Sequence, residues 1–331
     1  MSAVTNANSS LEGRLLFAVP KKGRLNQACL NLLEGADIQF RREHRLDIAL
    51  VKNHPIALVF LPAADIPTFV GEGRVDLGIT GWDQVAEHDA AMRAHRRAEA
   101  LLSGTPVAAA ETPAEGSSEA VGGCVTVMPL GFGSCKLQVQ VPVKGSYKAT
   151  SDLVGKTVCT SFVNLAAAHF AKLENCDPSE LKTKIIEIGG SVEAACALGV
   201  ADGIVDLVES GETMRAAGLT AIDTVVDTQA ILIKSLKPSD EKLVDKIAKR
   251  ISGVITAQRY VLCQYNIESS QLAAAVKITP GKRAPTVTPL SDNGWISVGV
   301  MVEKKKIATA MDELSEVGAK DILVLDIHNT R

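Results

Sequence analysis

Aromatic residues are scarce in this chain of 331 residues: Phe, Tyr and Trp together make up 4%. So thin a supply weakens any reading as a stacking platform for single-stranded nucleic acid. Charge of one sign is lacking too. Thirty-five basic against 38 acidic side chains leave a formal net charge of −3. That excludes a strongly basic nucleic-acid binder and leaves room for a local anion pocket. No apolar run reaches the roughly 18 residues of a membrane helix, so no membrane partner is expected. Met1–Gly13 is rich in Ser and Asn, without the hydrophobic stretch of a secretory leader. The seven cysteines form no C-x-x-C pair and have no histidine at zinc spacing. A disulfide framework or structural zinc is therefore disfavoured, and a reducing, cytoplasmic compartment is expected. Neither a G-x-G-x-x-G opening the first helix nor a Walker A sequence is present.

What the chain has is 46% apolar residues and length for about two domains of roughly 150 residues. Short β-branched runs alternate with amphipathic stretches. Strands are expected at Leu15–Val19, Ile56–Leu61, Val75–Ile79, Val139–Val143, Lys156–Cys159, Lys184–Ile188 and Gly203–Val208. Helices are expected through Leu25–Leu33, Ile66–Val70, Leu165–Leu173 and Ser191–Leu198, giving α/β lobes with a largely parallel sheet. Residues 103–123 shift to Ala, Pro, Glu, Ser and Gly and read as a mobile insertion or hinge. After a helix opened by Ser239-Asp240-Glu241, the remaining pattern reads βαββαβ, a ferredoxin-like unit. The expected organisation is a tail over 1–13, lobe I from 14–102 and 215–235, the insertion 103–123, lobe II over 124–214, and a C-terminal domain over 236–331.

The sharpest local feature is Gly203-Ile204-Val205-Asp206-Leu207-Val208-Glu209-Ser210-Gly211-Glu212-Thr213-Met214. A buried strand runs into a glycine and hydroxyl turn that opens a helix. Ser210, Gly211 and Thr213 offer amides and hydroxyls to a phosphate there, or form an ordinary N-cap; local pattern leaves both open. Asp206, at the strand end, is placed to accept hydrogen bonds from a ribose diol or metal-bound water. Lys22-Gly23-Arg24 reads either as a solvated basic turn or as a phosphate clamp. Lys136 is a surface cation or a triphosphate contact, and Thr160 and Ser161 are helix caps or a nucleotide subsite. The six histidines (His44, His54, His88, His95, His169 and His328) are scattered, and no Ser-His-Asp order or Cys–His pair stands out.

With its flank, the string Glu193-x5-Gly199-x-Ala201-x2-Ile204-x-Asp206-Leu207-x2-Ser210-Gly211-x-Thr213-Met214 resembles the signature of the ATP phosphoribosyltransferase family. Further resemblance lies in Lys22-Gly23-Arg24-Leu25, Asp76-Leu77-Gly78-Ile79-Thr80-Gly81, Phe132-Gly133-Ser134-Cys135-Lys136-Leu137, Thr160-Ser161-Phe162 and Arg283-Ala284-Pro285-Thr286-Val287, from Leu15 to Ile327 in all. The resemblance implies two periplasmic-binding-protein-like lobes with a cleft, plus a C-terminal ACT-like regulatory domain that binds histidine. It implies magnesium-dependent condensation of ATP with 5-phosphoribosyl 1-pyrophosphate (PRPP), the first step of histidine biosynthesis, by a homo-oligomer of dimers and hexamers.

For the residues it implies a PRPP site at Asp206, Leu207, Val208, Glu209, Ser210, Gly211, Glu212 and Thr213, with Asp206 and Glu193 in the chemistry. It implies ATP contacts at Lys22, Gly23, Arg24, Gly81, Asp83, Lys136, Thr160 and Ser161, and histidine contacts at Thr286 and Leu290. Asp83 and Glu193 are candidates for a weak base near the adenine amine. Glu209, an acid inside a phosphate loop, is expected to point away or to engage magnesium; the metal ligands are otherwise unassigned. A solute-binding module would leave the 206–214 loop unexplained. A type I phosphoribosyltransferase would need two adjacent acids, where this chain has Asp206 then Leu207. A purely regulatory protein would not need two full α/β lobes.

Overall fold

The computed structural model describes residues 11–42, 47–103 and 122–331. Most of the expected 1–13 tail and of the 103–123 insertion thus lies outside the described residues. The chain forms two compact units, Met1–Leu30 with Gln39–Val244, and Asn31–Ile38 with Asp245–Arg331.

The first unit carries two mixed sheets. Six strands, β1 (Leu15–Pro20), β2 (Ile48–Leu50), β3 (Ile56–Leu61), β4 (Leu77–Gly81), β5 (Cys124–Pro129) and β11 (Ala230–Ser235), lie in the order β2-β3-β1-β4-β11-β5. Five more, β6 (Cys135–Pro142), β7 (Thr157–Thr160), β8 (Lys184–Glu187), β9 (Gly203–Val208) and β10 (Leu219–Thr228), lie in the order β10-β6-β9-β7-β8. β1 pairs in parallel with β3 and β4, and β7 with β8 and β9. Buried on both faces, β1 and β4 read as nearly continuous apolar runs, as such parallel strands must. The helices α1 (Asn26–Gly35), α2 (Ile66–Gly71), α3 (Trp82–Ser103), α4 (Val163–Glu174), α5 (Ala194–Ala197) and α6 (Glu212–Ala216) complete the βα pattern.

The chain passes between the sheets twice, from β5 to β6 and back from β10 to β11 across Gln229. This double crossover is that of the expected periplasmic-binding-protein-like pair. The lobe limits differ from those expected at 124 and 215. β5 belongs to the first sheet, because β11 lies between it and β4 and bonds both antiparallel. α6 leads into β10, which pairs along β6 and so belongs to the second sheet. Pairing between strands a hundred residues apart decides membership, and local periodicity does not report it.

Several resemblance positions turn out to hold this frame. Asp76 is 9% exposed and its carboxylate accepts from the backbone N–H of Leu16 (2.7 Å) and of Ser239. Gly78 lets α2 approach, since a Cβ there would stand 2.6 Å from Ile66 Cγ2. These are packing duties, not chemistry.

Helix α7 (Glu241–Arg259) leads into the C-terminal unit: β12 (Tyr260–Glu268), α8 (Leu272–Ile278), β13 (Thr286–Pro289), β14 (Trp295–Glu303), α9 (Ile307–Glu316) and β15 (Lys320–Asp326). Its antiparallel sheet runs β13-β14-β12-β15, the ferredoxin-like order expected. Alternate residues Val261, Cys263, Tyr265 and Ile267 of β12 meet Ile296, Val298, Val300 and Val302 of β14 in one core. The compact unit starts at Asp245 inside α7 and also takes 31–38, so it departs from the expected 236 boundary.

Candidate active site

The C-terminal ends of β1, β4 and β9 and the start of β6 converge on two neighbouring cavities, where ligands collect in α/β sheets. The smaller, of about 220 Å³, is lined by Arg24, Cys135 and every residue from Leu207 to Met214. It is several times the roughly 30 Å³ share of one liquid water, so an anion-sized group has space beside the turn. Glu209, Ser210, Glu212 and Thr213 are exposed to it. Gly211 adopts φ +75°, a backbone conformation that favours glycine, while a Cβ there would meet only the movable end of Arg215. The turn is closed by the Glu212 N–H donating to Ser210 Oγ (3.3 Å) and by Arg215 Nη2 donating to Ser210 O (3.2 Å). Gly211, not Ser210, holds the N-cap position of α6, and the turn that Ser210 braces from within borders the cavity.

Arg24, on the loop after β1, reaches this cavity from the opposite sheet. Its guanidinium donates to Gly133 O and stands 3.7 Å from Asp83 Oδ1. Asp83 is 1% exposed, and its carboxylate accepts from Thr228 Oγ1 (2.6 Å) and Gln84 Nε2 (2.9 Å). Its backbone N–H donates back to Thr228 Oγ1 at 2.9 Å. A Cβ on Gly81 would collide with the Asp83 carboxylate, which accounts for that glycine. Both oxygens of Asp83 are thus engaged, which suits it to orienting Arg24 rather than to accepting a substrate proton.

Asp206 lies one residue behind the cavity lining. Its carboxylate accepts from the Leu207 N–H (2.8 Å), and its carbonyl accepts from Gln140 Nε2 (3.2 Å). Burial pushes its carboxyl above the ordinary value, the Leu207 N–H opposes this, and the neighbouring Glu193 charge adds to it. Such a carboxylate, short of partners at a strand end, is the kind of group found where ligand hydroxyls bind. Cys135 borders both cavities, but burial raises its thiol to about 11, so it stays protonated near neutral pH and makes a poor nucleophile.

The larger cleft, of about 660 Å³, is bordered by Trp82, Lys136, Gln138, Glu209 to Gly211, Met214 and Asp227 among others. Lys136 Nζ stands 3.6 Å from Asp227 Oδ1, both well exposed. Of the residues expected to touch ATP, only Arg24 and Lys136 line either cavity. Lys22 and Gly23 sit exposed on the loop before α1, and Ser161 is exposed at a strand end. Thr160 is fully buried, and its hydroxyl accepts from the Phe162 N–H at 2.9 Å, an internal turn contact.

Three participants escaped the sequence reading. Thr228 orients Asp83 from 145 residues away. Glu87, one turn beyond Asp83 on α3, accepts from Asn164 N and Leu165 N, both at 2.8 Å, and so caps α4 of the other lobe. Only Trp82 carried a local signal, a rare aromatic set between Gly81 and Asp83. Among the described residues, no group of three or more His, Cys, Asp or Glu could hold a metal ion, and no helix is long and apolar enough to cross a membrane.

Two lobes, with Arg24 of one facing a turn of amides and hydroxyls on the other, form a site suited to an anionic ligand. Residues 62–253 match the family model described as ATP phosphoribosyltransferase, and 257–329 match that of its C-terminal domain. The ATP phosphoribosyltransferase of Yarrowia lipolytica is 55% identical over 323 residues, covering 98% of both chains. That of Saccharomyces cerevisiae is 51% identical over 322 residues, 97% of this chain and 98% of its own. A solved ATP phosphoribosyltransferase complex from Thermotoga maritima shares the fold at a TM-score of 0.52 and 19% identity, over 72% of this chain and 96% of that one. The chain belongs to the ATP phosphoribosyltransferase family, in the long form with a C-terminal regulatory domain, and acts at the first step of histidine biosynthesis.

Proposed function

We propose that the larger cleft takes ATP, that the smaller cavity takes the 5′-phosphate and ribose of PRPP, and that the chain joins the two at the anomeric carbon. The observation carrying this reading is the 220 Å³ cavity in which Arg24 of one lobe faces the 207–214 turn of the other. Amides and the hydroxyls of Ser210 and Thr213 dock the phosphate, while Asp206 accepts from the ribose hydroxyls. Arg24 then meets the pyrophosphate, and Lys136 the triphosphate. Adenine N1 supplies its lone pair as the C1′–O bond breaks and pyrophosphate leaves with the electron pair. Orientation and charge neutralisation by these side chains supply the acceleration. With the Cys135 thiol protonated and Asp83 engaged, no covalent step is assigned, and Glu193 is the remaining candidate base.

The donor set suits magnesium, a hard ion that takes one or two carboxylates and otherwise substrate phosphate and water. Asp206, its neighbour Glu193, and exposed Glu209 and Glu212 are carboxylates that could hold it, and the ion, when bound, would neutralise charge on the leaving pyrophosphate. The lobes are catalytic, and the C-terminal unit is the histidine sensor, with Thr286 on β13 and Leu290 just beyond it in the histidine contact across a subunit boundary. The dimers and hexamers implied by the family supply that boundary, and the enzyme works in the cytoplasm.

The test is an assay of N1-phosphoribosyl-ATP formation from ATP, PRPP and magnesium. Thr213→Ala is expected to raise KM for PRPP about tenfold, the cost of one hydrogen bond to a charged group, and to leave KM for ATP nearly unchanged. Equal effects on both would remove the phosphate role. In the same assay, Thr286→Ala and Leu290→Ala are each expected to weaken inhibition by histidine several-fold at constant KM; undiminished inhibition would take β13 out of the histidine site.

A further inference from the structure

A tryptophan left in water asks for a reason, because its ring carries a large apolar area and gains most from a partner. Trp82 is 38% exposed. It opens α3 directly after the buried strand β4, and its backbone N–H donates to Gln229 O at 2.9 Å, so its Cα is fixed between β4 and the β10–β11 crossover. The indole borders the 660 Å³ cleft and is the sole aromatic among the lining residues. The same cleft is bordered by apolar Met214 and Ile231 and by the amide-bearing Gln138 and Gln229. An aromatic face bordering the cleft beside apolar Met214 and Ile231 suits a purine, which offers π-faces for stacking. None of the phosphate chemistry assigned above uses this face.

We infer that Trp82 is the platform on which the adenine of ATP stacks, holding the ring plane so that N1 is presented to the ribose beside the 207–214 turn. This deepens the reading of the cleft as the ATP site and rests on it. Trp82 thereby sets the preference for a purine ring over a smaller base, whose overlap with the indole is less.

Two tryptophans occur in the chain, so Trp295→Phe leaves Trp82 as the single indole reporter. In that full-length variant, ATP is expected to quench the emission with saturation, while inorganic tripolyphosphate, which has the phosphates and no ring, leaves it unchanged. In the otherwise unaltered chain, Trp82→Leu is expected to raise KM for ATP about ten- to a hundredfold and KM for PRPP less than twofold. Trp82→Phe, which keeps an aromatic face, restores most of the loss. Equal quenching by tripolyphosphate, a KM for ATP within twofold of the parent in Trp82→Leu, or a matching rise for PRPP would each overturn the inference. So would a change of oligomeric state in Trp82→Leu at unchanged KM, which would make the ring an intersubunit contact. Failure of the unaltered enzyme to form N1-phosphoribosyl-ATP would instead remove the underlying reading, so the two failures are told apart.

Discussion

Arg24→Ala is expected to lower kcat/KM by about 10²- to 10³-fold, the scale on which removal of a preorganised charge donor acts. The same change is expected to destabilise the fold by about 2 kcal/mol, because the guanidinium is the cation beside a carboxylate buried to 1% exposure. Thr228 and Gln84 still donate to Asp83, which holds the loss below that of an isolated buried charge. Arg24→Lys keeps the charge and is expected to recover stability better than activity. One ammonium cannot span Asp83, the Gly133 carbonyl and a phosphate together, as a planar guanidinium does. Thermal unfolding and steady-state kinetics on both variants check this. Wild-type kcat/KM in Arg24→Ala would show that the residue is an interlobe strut and nothing more.

The contrast between Arg24 and its neighbour Lys22 shows what sequence carries here. Strands β3 and β9 were legible to the residue, because an apolar run bounded by turn residues is a local property. The βαββαβ order of the C-terminal unit was legible for the same reason, through the strict alternation of Ile296 to Val302. The 206–214 turn was legible as an anion cradle or a cap, since glycine and hydroxyls at a strand–helix junction have few other uses. What local pattern withheld was every relation between distant segments. Lys22 and Arg24 look alike on paper, yet only Arg24 lies within reach of Gly133 and Asp83, across 109 and 59 positions of chain. Thr160 ends a strand and Ser210 follows one, yet the first turns inward to the Phe162 amide and the second borders a cavity. The 22-residue helix α3 escaped as well: dense in charge and alanine, it lacks the broad apolar stripe by which a packed helix announces itself. Its first turns nonetheless organise both banks of the site, with Asp83 on one lobe and Glu87 capping the other.

Asp206→Asn is expected to stabilise the substrate-free enzyme near neutral pH while lowering kcat/KM for PRPP about ten- to a hundredfold, the cost of losing a charged acceptor for the ribose hydroxyls. The two effects share a cause. Burial, with Glu193 alongside, holds the Asp206 carboxyl above its ordinary value of 3.8, so the folded state binds its proton more tightly than the unfolded chain does. A carboxyl raised in this way supports the fold fully below the ordinary value, and that support is lost as pH rises through the raised one. Above the raised value the folded protein carries the desolvation cost of the ionised carboxylate, which the neutral amide of asparagine does not. The gain in Tm of Asp206→Asn over the parent is therefore expected to be largest near neutrality and to shrink on acidification toward the ordinary carboxylate range. Bound PRPP reverses the sign: its hydroxyls give the ionised Asp206 the partners it lacks, so the parent gains more Tm from PRPP than the variant does. Thermal melts across pH, with and without PRPP, decide the matter. A variant that melts lower than the parent at every pH would show Asp206 to be a well-satisfied structural acceptor, and its assignment to the ribose would fall.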